Sequence, residues 1–140
     1  MRGVPWVRGR VPATREYGGV LIIEAILNGV RKGRLIADTG AALTGLTRTC
    51  LQDVGIDVRR PLGRKPLATA QSTELVTVPT FKLQSLEVGA FRMQGLVATL
   101  LELPPELRID GVLGVNFLER FRSTFDFPNH HIILRGPASS

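Results

Sequence analysis

An aspartate that ends an apolar run and is followed at once by threonine and glycine constrains this chain more than any other feature. Residues 20 to 27 and 33 to 37 are largely apolar and rich in β-branched side chains. Between them Asn28-Gly29 marks a tight hairpin, because both residues accept the positive φ that primed turns demand. The second strand runs directly into Asp38-Thr39-Gly40-Ala41, so a carboxylate emerges at the tip of a buried element. Gly40, lacking a Cβ, lets main-chain donors approach that carboxylate, and Thr39 offers a short, rotamer-restricted hydroxyl able to hold a neighbouring loop. Read on its own, Asp38 is either a reactive group or a turn residue, since Asp and Thr both favour local hydrogen bonding at turns.

The remaining pattern is one of short strands. Leu46, Cys50, Leu51 and Val54 fall at helical spacing and stop at Gly55, which predicts a short helix with a glycine stop. A basic loop over 59 to 66 precedes expected strands over 67 to 76, 78 to 88 and 91 to 101, with Gly89-Ala90 turning between the last two. Pro104-Pro105 breaks the series. An apolar run over 109 to 113 ends at Gly114 and leads into a helical turn through Asn116, Phe117, Leu118 and Arg120. Segments 123 to 127 and 131 to 134 flank Pro128-Asn129 as a closing hairpin. The expected fold is mostly β and barrel-like, with one or two short helices. At 140 residues, with 44% hydrophobic and 21% charged side chains, one domain with a single core is expected. Residues 1 to 17, with four Arg and two Pro, predict a flexible extension; the domain is expected over 18 to 136, with a tail over 137 to 140.

The formal charge of +6 gathers in two places: Arg2, Arg8, Arg10 and Arg15 at the start, and Arg59, Arg60, Arg64 and Lys65 in one loop. With no aromatic residues seen to alternate with them and no nucleic-acid motif around them, they are expected to be solvated, with no nucleic-acid partner. A single Cys50 cannot form an internal disulfide and is expected to fill core space. His130 and His131 are adjacent in a predicted turn and point to opposite faces, so they do not share a metal, and no metal or cofactor is expected. No apolar run approaches the ~20 residues of a membrane span, and the start lacks a signal-peptide core, so a soluble and cytoplasmic protein is expected.

The strand ending in Asp38-Thr39-Gly40-Ala41, answered about seventy residues later by Ile109-Asp110-Gly111-Val112-Leu113-Gly114-Val115-Asn116-Phe117-Leu118, resembles the retropepsin-like aspartic proteases. The likeness spans roughly residues 18 to 134. It implies a closed acid-protease barrel with one lobe per chain, and a homodimer in which each subunit contributes Asp38 to activate a water against an extended peptide. Thr39 would then be the cross-subunit clasp, Gly40 the backbone contact to substrate, and Ala41 and Gly114 active-site supports. Val112-Leu113-Gly114 would be the strand-to-helix element bracing the active loop. Ala70, Gln71 and Ser72 fall where a substrate-covering flap belongs, although no glycine stands there as it commonly does in this family. Viral members carry a paired Asp and Arg where this chain has Ala42 and Val115, and the joint loss leaves no unpaired buried charge. Asp110, set before Gly111, is expected to be a turn residue and not the second carboxylate. The rival implication is a dimeric peptide- or protein-binding module on the same scaffold with little or no protease activity.

Overall fold

Apolar side chains at every second position build the barrel of the computed structural model, which describes residues 5–69 and 72–139, the side chains of Thr69, Ser72 and Thr73 excepted. In chain order the strands are β1 (Trp6–Glu16), β2 (Val20–Leu27), β3 (Arg31–Ala37), β4 (Thr44–Leu46), β5 (Gly63–Thr69), β6 (Ser72–Val88), β7 (Phe91–Leu100), β8 (Gly111–Leu113), β9 (Arg122–Asp126) and β10 (His131–Pro137). Two helices, α1 (Arg48–Asp53) and α2 (Val115–Leu118), and a 3-10 turn at Pro105–Leu107 complete it. The strand order is β5-β6-β7-β4-β8-β3-β2-β1-β10-β9, with an additional β2–β6 pairing. That extra pairing, Ile26↔Glu87 and Leu27↔Leu86, closes β6, β7, β4, β8, β3 and β2 into a ring. The β5–β6 hairpin extends from one side of the ring and the β1–β10–β9 sheet from the other.

The period-2 rule explains which faces meet. On β2, Leu21, Ile23, Ala25 and Leu27 are buried, with Leu35 and Ala37 of β3 beside them. Phe81, Leu83, Leu86, Met93, Leu96 and Ala98 of β6 and β7 close the other wall. Each such side chain contributes about 1.5–3 kcal/mol when fully buried, which is why this alternation decides the register. The predicted β2–β3 hairpin forms: Asn28 and Gly29 hold φ values of 52° and 66°, and Val30 N–H donates to Leu27 O at 2.9 Å. The predicted α1 is capped by Thr47, whose hydroxyl accepts from Cys50 N–H, and Gly55 follows it at φ 88°.

Five expectations are corrected. Residues 6 to 16 are not a flexible extension but strand β1, paired with β10 over Trp6–Pro12 and with β2 over Ala13–Glu16. Its inward residues are Val7, Gly9, Val11 and Ala13, and Gly9 lies so close to Phe91 that an added Cβ would stand 2.7 Å from the ring. The tail is also engaged: Pro137 pairs with Trp6, and Ala138 O accepts from Arg92 N–H at 2.9 Å. The basic loop ends earlier than expected, since Gly63 to Pro66 already belong to β5, an edge strand where proline's missing N–H is tolerated. The expected strand over 67 to 76 is instead the two arms of the β5–β6 hairpin, with Thr69 paired to Ser72. Leu46 belongs to the short β4 and not to the helix, because it pairs with Leu100 and Gly111.

Candidate active site

Asp38 follows the last residue of β3, and its position is fixed through the neighbouring strand. Strands β3 and β8 run parallel with Ala37 opposite Leu113, and Asp38 N–H donates to Leu113 O at 3.0 Å. The chain then turns sharply: Ala41 N–H donates to Asp38 O at 3.3 Å, and Gly40 N–H donates to the Asp38 Oδ1 at 2.8 Å. A Cβ at residue 40 would sit 3.1 Å from that oxygen, so a glycine keeps the carboxylate uncrowded. Asp38 is half-buried while Thr39 and Gly40 are exposed. Thr39 makes no side-chain hydrogen bond among the described residues, leaving its hydroxyl available to a group outside the chain.

Gly114, at the corner between β8 and α2, packs against the segment that follows the Asp38 turn. The segment after the turn lies directly against it, so a Cβ there would meet Leu43 C at 2.5 Å, Leu43 O at 2.6 Å and Thr44 N at 2.7 Å. That proximity lets Ala41 O accept from Val115 N–H at 2.7 Å and Ala42 O from Asn116 N–H at 3.3 Å. Ala42 and Val115 thus take part through backbone atoms.

Two residues that sequence reasoning did not single out complete the brace. Asn116 Oδ1 accepts from Thr44 N–H at 2.9 Å and from the Thr44 hydroxyl at 3.0 Å, while Asn116 Nδ2 donates to Val97 O at 2.7 Å. The fully buried Thr44 hydroxyl in turn accepts from Gly114 N–H at 3.1 Å. One carboxamide therefore ties β4, β7 and α2 together beneath the Asp38 turn. The available signal was an Asn immediately after the strand-to-helix glycine and its neighbour, with a Thr four residues after Gly40.

The other candidates fall elsewhere. Asp110 aligns with Arg34 at the start of the β3–β8 pair, and Asp38 lies four residues further along, roughly 13 Å at strand spacing. The Asp110 carboxylate accepts from Arg34 N–H at 2.8 Å and from Arg31 Nη2 at 3.0 Å, which makes it a structural group. Ala70 and Gln71 lie outside the described residues, and only the backbone of Ser72 is described, opening β6. The hairpin below this tip stands clear of the core, with Leu75 and Val76 exposed. His131 is buried against Asp126, Nε2 to Oδ2 at 3.3 Å, while His130 occupies the turn at φ 52°. Cys50 is fully buried, and burial pushes its thiol up to about 11. A surface groove of about 670 Å³ lined by Val11, Ile22, Ile23, Glu24 and Lys32 does not include Asp38.

Comparison with known proteins agrees with this geometry. The model of a family described as aspartyl protease matches residues 23–117, a span that includes Asp38, Thr44, Gly114 and Asn116. Among solved structures, the fold is similar to the crystal structure of a retropepsin-like aspartic protease from Rickettsia conorii, with a TM-score of 0.69 and 24% sequence identity over 97% of each chain. No curated protein matches the sequence. With a matched span that includes the braced Asp38 turn and 97% of its length covered by the likeness to such a barrel, the chain belongs to the aspartyl protease family and has the retropepsin-like fold.

Proposed function

We propose that two copies of this chain form one aspartic endopeptidase, each contributing Asp38 of its Asp38-Thr39-Gly40 turn to a shared site. The observation that carries this reading is the setting of Asp38: a half-buried carboxylate held by Gly40 N–H on one oxygen, on a turn braced from below. The chain's other carboxylate on the same strand pair, Asp110, is occupied by Arg31 and the Arg34 backbone. A two-fold axis near the turn supplies the second Asp38. Thr39 and Gly40, exposed in one chain, then face the partner and the substrate.

Two carboxylates brought together do not both ionise, so the pair holds one proton and titrates as a unit. The ionised member takes a proton from a water between them. The resulting hydroxide equivalent attacks the scissile carbonyl carbon while the protonated member gives its proton to the carbonyl oxygen, yielding an uncharged gem-diol. Proton transfer to the amide nitrogen as the C–N bond breaks releases the two peptide products. The extended peptide lies in the groove between subunits, with the β5–β6 hairpin over it.

Hydrolysis of an unstructured protein at mildly acidic pH tests the assignment, with wild type compared to Asp38→Asn. Asparagine keeps the size and much of the hydrogen-bonding capacity of the side chain but takes no proton from water. Cleavage should fall to background while the fold survives with equal or higher thermal stability, because the repulsion between carboxylates is relieved. A metal chelator should leave the wild-type rate unchanged. Substantial cleavage by a contaminant-free Asp38→Asn preparation overturns the assignment, and peptide binding without hydrolysis by the wild type favours a binding module instead.

A further inference from the structure

The outer face of the β1–β10–β9 sheet carries four arginines, three of them in register. Pairing sets Arg8 opposite Arg135 and Arg135 opposite Arg122, so three guanidinium side chains form one row across three strands. Arg10 follows two positions along β1, and Trp6 precedes by two, its indole 64% exposed. The inward neighbours Val7, Gly9 and Val11 face the core, which leaves Trp6, Arg8 and Arg10 on the outside together. All four arginines are exposed, and among the described residues none is within ion-pair distance of a carboxylate. Elsewhere Arg31, Arg34, Arg59, Arg60 and Arg92 form ion pairs, while Arg48, Arg64, Arg108 and Arg120 form none among the described residues, so it is the alignment of the sheet arginines and not their lack of partners that sets them apart. Asp126 lies on the same face in the row of Pro12 and His131, two residues along from Arg10; it is engaged by Asn129 and His131, and Arg10 is a weaker contributor to holding its carboxyl below the usual carboxylate range.

Like charges directly opposite one another across strands are destabilising, so this row is kept at a cost to the sheet. A polyanion removes that cost. We propose that this face binds single-stranded nucleic acid, with phosphates on Arg8, Arg10, Arg122 and Arg135 and a base stacked on Trp6. The guanidinium fork matches phosphate oxygens and also stacks on planar groups, which a lysine does not do. An exposed indole beside such cations is the element that single-strand binders use for sequence-tolerant stacking. A lipid surface would use the charge but requires several apolar side chains to insert, and Trp6 is alone in that role here. An acidic peptide matches the charge but brings no planar base for the indole. A second copy of the chain is disfavoured as occupant, because two-fold contact would set arginine rows against each other. The proposal runs against the expectation of no nucleic-acid partner, and it stands independently of Asp38.

The one tryptophan of the sequence is its own reporter. Titration with a 12-nucleotide oligothymidylate should quench Trp6 fluorescence, and anisotropy of the labelled oligonucleotide should give log K falling with log salt at a slope of roughly −2 to −3, from about 0.7 per phosphate contact. Trp6→Leu should weaken binding roughly tenfold with the slope unchanged. Arg135→Gln should weaken binding and reduce the slope by about 0.7 while raising the melting temperature, as the opposed charges are relieved. Arg8→Gln and Arg122→Gln should do the same separately, and Asp38→Asn should bind like wild type. A double Arg64→Gln, Lys65→Gln variant should also bind like wild type. Absence of binding at low salt overturns the proposal. So does loss of both binding and stability in the three arginine variants, equal loss in the Arg64, Lys65 variant, or equally tight binding of polyglutamate or phosphatidylserine vesicles insensitive to Trp6→Leu.

Discussion

Asn116 shows how much of the candidate site rests on a residue beneath the Asp38 turn. Its carboxamide satisfies the Thr44 N–H and hydroxyl on one side and the Val97 carbonyl on the other. Asn116→Ala leaves these groups without partners in a part-buried region, at about 1–3 kcal/mol for each unsatisfied group. A melting temperature lowered by ten degrees or more is expected, with hydrolysis falling because the Asp38 turn loosens. A variant as stable as wild type would show that water replaces the carboxamide. Cys50 gives the pH-dependent prediction. Folding raises its pKa from the usual value near 9 to about 11 by burial, so the folded state holds a proton that the unfolded state has released. Its contribution is therefore complete below about pH 9 and is lost as pH rises towards 11. Urea midpoints measured from pH 8 to 11 should fall more steeply for wild type than for Cys50→Val; parallel curves would contradict this. Asp38 was legible in sequence because strand, carboxylate and glycine are contiguous. Asn116 was not, because Thr44 lies 72 residues away and an Asn at the start of a helical turn looks like an ordinary local hydrogen-bonding residue.

At the scale of elements, the site depends on segments touching with no side chain between them. A Cβ on Gly111 would stand 2.0 Å from Gly45 O, and one on Gly114 2.5 Å from Leu43 C. Both neighbours are backbone and cannot swing aside, so β4 and β8 would have to separate. Gly114→Ala is expected to destabilise the chain by about 3 kcal/mol or more, and Gly114→Val to unfold it. Gly55→Ala differs in cause: φ is 88° but space is open, so the cost is backbone strain of about 1 kcal/mol. Thermal melts of the three variants should follow this order, and a Gly114→Ala variant no less stable than Gly55→Ala would contradict it. Hairpin β2–β3 and helix α1 were legible because Asn28-Gly29 and Gly55 sit where the chain must reverse or stop. Strand β1 was hidden by its own composition. Its outward positions hold Trp6, Arg8 and Arg10, and its inward position 9 is a glycine because the Phe91 ring occupies the space. Strand β4 is three residues long and its Leu46 continues the helical spacing of α1, so period alone assigns it wrongly.

For the whole molecule, the ring of six strands with a hairpin on one side and a three-stranded sheet on the other is one lobe, and it presents one Asp38 turn. Barrel and chain order followed from alternating apolar residues and turn signals. The shared proton of the proposed pair sets the pH response: activity should be highest in mild acid and fade as pH rises and that proton is lost. A rate that climbs steadily into alkali would place the chemistry elsewhere. The proposed site needs two chains, and dilution of the protein reveals that dependence. Initial rates of peptide cleavage should be followed over a range of chain concentrations in which sedimentation records the passage from dimer to monomer. Well below the dissociation constant, velocity should scale with the square of chain concentration, so that activity per chain falls in proportion to dilution. Activity per chain that stays constant through the range where sedimentation finds only monomer would contradict a site built from two Asp38 turns.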